Sequence, residues 1–332
     1  SATTLTWSTD GDGTFSDTSS ATAVYTPGSG DISTGSVTLT MTTDDPTGPC
    51  GIVSDSIVIT INGAAIADAG SDATICSSAT SYTLNGSISG VTTSLTWTTS
   101  GTGTFNDDTL TNAVYTPSAA DKTAGSVTLT LTTNEPDGTC TAASDTMTLT
   151  IDPLPTATAG GSQTICANVT ATISGATAAN GTIAWTTSGN GTFDDATLEN
   201  PVYTPGSDDA GSTVTLTMTV TSNNACTAQT ATANYTVTVN PIPVAYTPLN
   251  QTVCNSGTTA EIILTSDTNG TTFDWTNSDD SIGLAASGSG NIPSFTGDNT
   301  VTSTITVTPT ANGCAGSQVT FTYTVTPKSG DA

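Results

Sequence analysis

Seven cysteines stand in this 332-residue chain, at positions 50, 76, 140, 166, 226, 254 and 314, and they are its most reactive side chains. Cys76 precedes Cys140 by 64 residues, Cys166 precedes Cys226 by 60, and Cys254 precedes Cys314 by 60. That near-constant interval predicts three disulfides, Cys76–Cys140, Cys166–Cys226 and Cys254–Cys314, with Cys50 unpaired. A bridge closing a loop of ~60 residues is worth about 4 kcal/mol by loop-closure entropy. The alternative scheme joins neighbours, Cys50–Cys76, Cys140–Cys166 and Cys226–Cys254, and leaves Cys314 over. Thiolate metal binding finds no C-x-x-C to support it.

Carboxylates are the second reactive class. Asp10, Asp12 and Asp17 alternate with glycine and small polar residues in DGDGTFSD, a pattern of hard oxygen ligands that suits Ca²⁺. The matching stretches keep Asp107, Asp108, Asp194 and Asp195 but not the full acidic set, so a shared calcium site would also need backbone carbonyls. Asp44-Asp45 and Asp208-Asp209 read as turn residues. Paired carboxylates also serve glycosidases, but no long insertion is present to wall a cleft. No histidine occurs, which removes Ser-His-Asp and Cys-His catalysis and His-ligated metals. The chain is read as non-catalytic, with no cofactor required beyond a Ca²⁺ option. Trp7, Trp97, Trp185 and Trp275 are either core residues or stacking platforms for sugar rings.

The elements that position these residues come in repeats. LTWSTDGDGTF…AVYTP at 5–27, LTWTTSGTGTF…AVYTP at 95–117 and IAWTTSGNGTF…PVYTP at 183–205 share one text. The tryptophans are spaced by 90, 88 and 90 residues, and both cysteine series keep a similar period. Four units follow: 1–63, N-terminally incomplete, then 64–153, 154–242 and 243–332. Within each, runs such as SVTLTMT, SVTLTLT and TVTLTMTV alternate apolar residues with threonine, which supplies about a quarter of the chain. A period of two marks strands with one core face and one hydrated threonine face. Gly, Asn, Asp, Pro and Ser clusters separate them as turns, and no sustained helical period appears. The expected fold is all-β: an elongated tandem array of immunoglobulin-like β-sandwiches joined by short, Pro-bearing linkers.

Composition narrows the partners. There are 28 acidic residues against only Lys122 and Lys328, for a net charge of −26. Nothing here neutralises phosphates, which excludes nucleic acid, and no apolar run is long enough for a membrane helix. The chain reads as a window on a longer array. Disulfide-patterned sandwiches imply an extracellular, cell-surface address.

The text WTTSGTGTF…NAVYTPSAAD…AGSVTLTLT, with Ile-Cys upstream and a cysteine before the final strand, resembles the Ig-like repeats of giant Bacteroidota surface proteins. The fourth unit, QTVCNSGTTAEIILTS…FDWTNSDDSIGLAASGSGN, is similar to their PKD-like repeat. The resemblance implies type IX secretion and a gliding-associated adhesin stalk or filament, whose partners are copies of itself or further repeats of the same chain. It also implies O-glycosylation at Asp-[Ser/Thr]-apolar contexts, here Ser56, Thr109, Thr146 and Ser281. A multivalent carbohydrate-binding module is the alternative. Exposed aromatic pairs would favour that alternative, and buried tryptophans the stalk.

Overall fold

The computed structural model describes residues 4–45, 47–134 and 140–328, almost all of them in strands and turns. The chain divides into two compact units, residues 1–153 and 154–332.

Each sequence repeat builds one main sheet on the same plan. A tryptophan strand pairs antiparallel with a threonine-rich central strand, which pairs antiparallel with a closing strand. In the second repeat these are Leu95–Thr99, Ser126–Thr133 and Ser144–Asp152. The third repeat uses Gly181–Thr187, Ser212–Ser222 and Thr230–Asn240. The fourth uses Thr272–Asn277, Thr302–Ala311 and Val319–Thr326. The alternation forces this placement. Val127, Leu129 and Leu131 point inward and are buried, while the threonines between them line the other face. Threonines opposite one another also bond across strands, as Thr213 does to Thr238 at 3.1 Å and Thr302 to Thr324 at 3.1 Å.

A fourth strand, ending in cysteine, joins the closing strand in parallel. Ala73–Cys76 runs beside Leu149–Asp152, Ser162–Cys166 beside Thr236–Asn240, and Gln251–Cys254 beside Tyr323–Thr326. A parallel neighbour needs a long crossover, and here nearly the whole repeat provides it. Short strands form the opposing layer. In the second repeat these are Tyr82–Thr83, Thr104–Phe105 and Val114–Thr116, together with the hairpin-like pair Ala65–Asp68 and Ser87–Gly90. Trp97, Leu84, Tyr115, Leu129 and Met147 fill the space between the layers.

The first repeat differs. Leu5–Thr9, Ser36–Thr43 and Ser54–Thr60 make a three-stranded sheet whose closing strand is an edge among the described residues. Among the described residues of this repeat only Thr14–Phe15 and Tyr25–Thr26 lie opposite. Ile57 is therefore 57% exposed, whereas its counterpart Met147 is 2% exposed.

Two short helices, Ser29–Thr34 and Ala119–Ala124, depart from the all-strand expectation. They are too brief to show a helical period in sequence. Their ends are set locally: Ser118 accepts from the Asp121 N–H, and Gly125 closes the helix at φ 81°.

Candidate functional site

Three buried aspartates organise the GTF turns. The Asp121 carboxylate accepts hydrogen bonds from the Thr102 N–H at 2.9 Å, the Ser118 N–H at 2.9 Å and the Tyr115 hydroxyl at 2.8 Å. Asp209 accepts from the Asn190 and Gly206 N–H groups and from Tyr203. Asp31 accepts from the Asp12, Gly13 and Gly28 N–H groups and from Tyr25. This network explains the G-x-G text. A Cβ on Gly101 would fall on the Asp121 carboxylate, and one on Gly103 on the Tyr115 hydroxyl. The Tyr25 hydrogen bond leads in holding Asp31 below the usual carboxylate range. For Asp121 and Asp209, burial pushes upward, but the donated hydrogen bonds outweigh it and the net shift is down. Burial leads in raising Tyr115 and Tyr203. Asp209 is thus a buried anchor rather than the solvated turn residue expected from sequence, and Asp31 and Asp121 went unseen there.

Six of the seven calcium candidates accept hydrogen bonds on their carboxylates. Asp12 accepts from the Gly30 and Asp31 N–H groups, and Asp10 from Thr38 N–H at 2.8 Å. Asp17, Asp107 and Asp195 each take the N–H and hydroxyl of the residue two places on, Ser19, Thr109 and Thr197. Asp194 accepts from Asp195 and Val202 N–H groups. The Asp108 carbonyl accepts from Trp97 N–H. Asp10, Asp12 and Asp31 line one open cleft of about 550 Å³. Among the described residues no group of three or more acidic or cysteine side chains has the arrangement of a metal site.

The tryptophans are core residues. Trp97, Trp185 and Trp275 are buried, and Trp7 half-buried. The indole N–H of Trp97 donates to Leu110 O at 3.0 Å, that of Trp185 to Leu198 O and that of Trp7 to Ser20 O. Each faces the phenylalanine of its GTF turn, with ring centroids 5.9–6.5 Å apart. Burial closes Trp97, Trp185 and Trp275 to a stacking sugar ring, whereas Trp7 lines an open hollow. The four glycosylation candidates all lie at the surface, Ser56 and Thr146 on closing strands, Ser281 in a short 3₁₀ turn, and Thr109 with its hydroxyl bonded to Asp107.

The cysteines overturn the expected pairing. Cys166 is bridged to Cys314, 148 residues away, with Cα atoms 5.6 Å apart, while Cys50, Cys140 and Cys254 carry free thiols. Cys76–Cys140, Cys166–Cys226 and Cys254–Cys314 are therefore not formed, and neither is any bridge of the neighbour scheme. The reason is geometric. Cys254 lies beside Thr326, at the far end of the closing strand, whereas Cys314 sits in the turn before that strand begins. Eight residues of extended chain hold them roughly 25 Å apart. The cysteine strand ends beside the linker, so Cys166 meets the turn of the next repeat, not its own. The Asn240 side chain donates to Asn312 O at the same junction.

No protein-family model and no curated protein matches this chain. Among solved structures it is similar to mouse cadherin-23 EC22-24, with 12% identity, a TM-score of 0.43, and 80% of this chain and 100% of that one covered. The human desmocollin-1 ectodomain matches with 12% identity, a TM-score of 0.37, and coverage of 99% and 76%. Sidekick-1 immunoglobulin domains 1–5 match with 12% identity, a TM-score of 0.36, and coverage of 98% and 74%.

Proposed function

We propose that the chain is a non-catalytic segment of an extracellular surface adhesin, a stalk or filament of serial β-sandwiches. One observation carries this reading: the Cys166–Cys314 bridge ties two consecutive repeats together in parallel with their peptide linker. A covalent cross-tie of that kind resists separation of neighbours under load, and such bonds persist in oxidising compartments. Catalysis has no foothold, since histidine is absent from the sequence and the turn carboxylates serve as backbone acceptors. On the strength of the repeat text, the reading extends to type IX export in the Bacteroidota and to self-association of arrays through surface carboxylates bridged by Ca²⁺.

Single-molecule stretching tests it. Oxidised, the 148-residue span is locked; reduced, it releases an extra length of about 500 Å at 3.3–3.6 Å per residue. Equal contour lengths with and without reductant would remove the load-bearing role of the bridge and, with it, this reading.

A further inference from the structure

Threonine supplies about a quarter of the chain, and neither a stalk nor a filament needs it laid out as it is. The third repeat gathers it most completely. Every second residue of 213–221 is threonine, and so is every second residue of 230–238 except Asn234. The two strands are antiparallel neighbours, and their register sets these residues opposite one another in five rows, from Thr213–Thr238 to Thr221–Thr230. The rows face away from the core, because Val214, Leu216, Met218 and Val220 between them are buried.

The array is regular and stiff. Residues two apart on one strand share the same kind of ladder pair, so the spacing does not alternate from row to row. Rows follow one another at about 6.8 Å, and the two columns stand about 4.8 Å apart. A β-branched side chain has few rotamers, and neighbours fix one another further. The Thr213 and Thr238 hydroxyls lie 3.1 Å apart, and the Thr217 hydroxyl donates to Asn234 Oδ1 at 2.9 Å. Twist of roughly 20–25° between adjacent strands confines a flat match to these two central columns. The sheet is also electrically blank. Its four strands, Ser162–Cys166, Gly181–Thr187, Ser212–Ser222 and Thr230–Asn240, contain no charged residue, in a chain with 28 acidic ones.

We propose that this face binds ice. Crystalline water is an uncharged, flat, two-way periodic array of oxygens that donate and accept hydrogen bonds. The two threonine spacings lie near those of the oxygen rows on a prism face of hexagonal ice. Hydroxyls continue the hydrogen bonding of the lattice, and the methyl groups beside them release ordered water as they seat between rows. A charge would keep its own hydration shell against the crystal, and this sheet has none. Other flat partners match less well. A crystalline polysaccharide calls for outward aromatic rings, and Trp185 turns inward from this same sheet and is buried. A second copy of the face would strip water from opposed hydroxyls with little apolar area gained. The proposal stands whether or not the array is an adhesin.

The test uses the oxidised 332-residue chain, labelled with a fluorophore on its free thiols, and single growing ice crystals as the probe. The chain should coat the prism faces, impose hexagonal facets and slow recrystallisation in a frozen film. Thr219→Tyr raises a ring above the plane of the array, and Thr232→Lys sets a hydrated charge in it. Each should weaken recrystallisation inhibition by at least about tenfold while leaving the melting temperature near that of the parent. Thr172→Tyr, on the exposed side of the opposing layer, should inhibit as the parent does. Crystals left uncoated by the parent chain overturn the proposal. So does full inhibition by either array variant in folded form, or an equal loss in Thr172→Tyr. Retention on crystalline cellulose without retention on ice, or a dimer that Thr219→Tyr dissolves, also overturns it, assigning the face to a polysaccharide or to a second copy.

Discussion

A carboxylate with three or four donors aimed at it is stabilised in its charged form, and Asp31, Asp121 and Asp209 each hold that position at the heart of a repeat. Their folded-state pKa values lie below the ordinary value of 3.8. A depressed acid contributes stability above its unfolded pKa and loses it as the pH falls through the folded one. Melting temperature should therefore be flat near neutrality and drop as the pH passes below about 4, the unfolded carboxylate value. Asp121→Asn leaves donors unmatched in a buried place and should cost about 1–3 kcal/mol. It should also make the melting temperature less sensitive to acid. An unchanged acid profile in that variant, followed by calorimetry, would show that the aspartate is not the anchor described above. Sequence held a usable sign of this residue: aspartate falls six positions after the tyrosine of each VYTP, at Tyr25–Asp31, Tyr115–Asp121 and Tyr203–Asp209. In loops full of solvated acids that coincidence is easy to pass over, because type alone does not separate a buried aspartate from a hydrated one.

Strands with strict alternation declared themselves, because a period of two leaves one face for the core and one for water. The central strands of the first three repeats lie where SVTLTMT, SVTLTLT and TVTLTMTV place them. The short opposing strands, only two or three residues long, have no period to read. The disulfides were illegible for a different reason. In a periodic chain every pairing scheme has a constant interval, so constancy cannot tell 60 residues from 148. What decides is which end of the closing strand each cysteine occupies, and that is a property of the parallel register. Edge status can be measured at this scale. The Val58 amide lies on a strand that is a sheet edge among the described residues, while the equivalent Thr148 amide is held by Asp72. Hydrogen exchange by NMR should find Val58 the much less protected of the two. Matching protection factors would mean that the edge is covered.

At the scale of the whole molecule, 28 acidic groups against two lysines repel neighbouring arrays at low salt. Screening shortens that repulsion to about 3 Å at 1 M ionic strength. Sedimentation of the oxidised chain across NaCl and Ca²⁺ concentrations should then show association that grows with both. A single monomeric species throughout would remove self-association from the proposed function and leave an isolated stalk. The bridge between Cys166 and Cys314 has one more consequence, and it concerns damage. Together with the backbone it makes a closed covalent ring of the 148 intervening steps. A ring must be broken twice before it parts. A peptidase that cuts once anywhere between those two cysteines leaves both fragments attached, and the sandwich cores hold the cut ends in place. Such a nick would appear on a gel only after reduction, so a strand of this protein can be wounded in that region and still transmit tension from one end to the other.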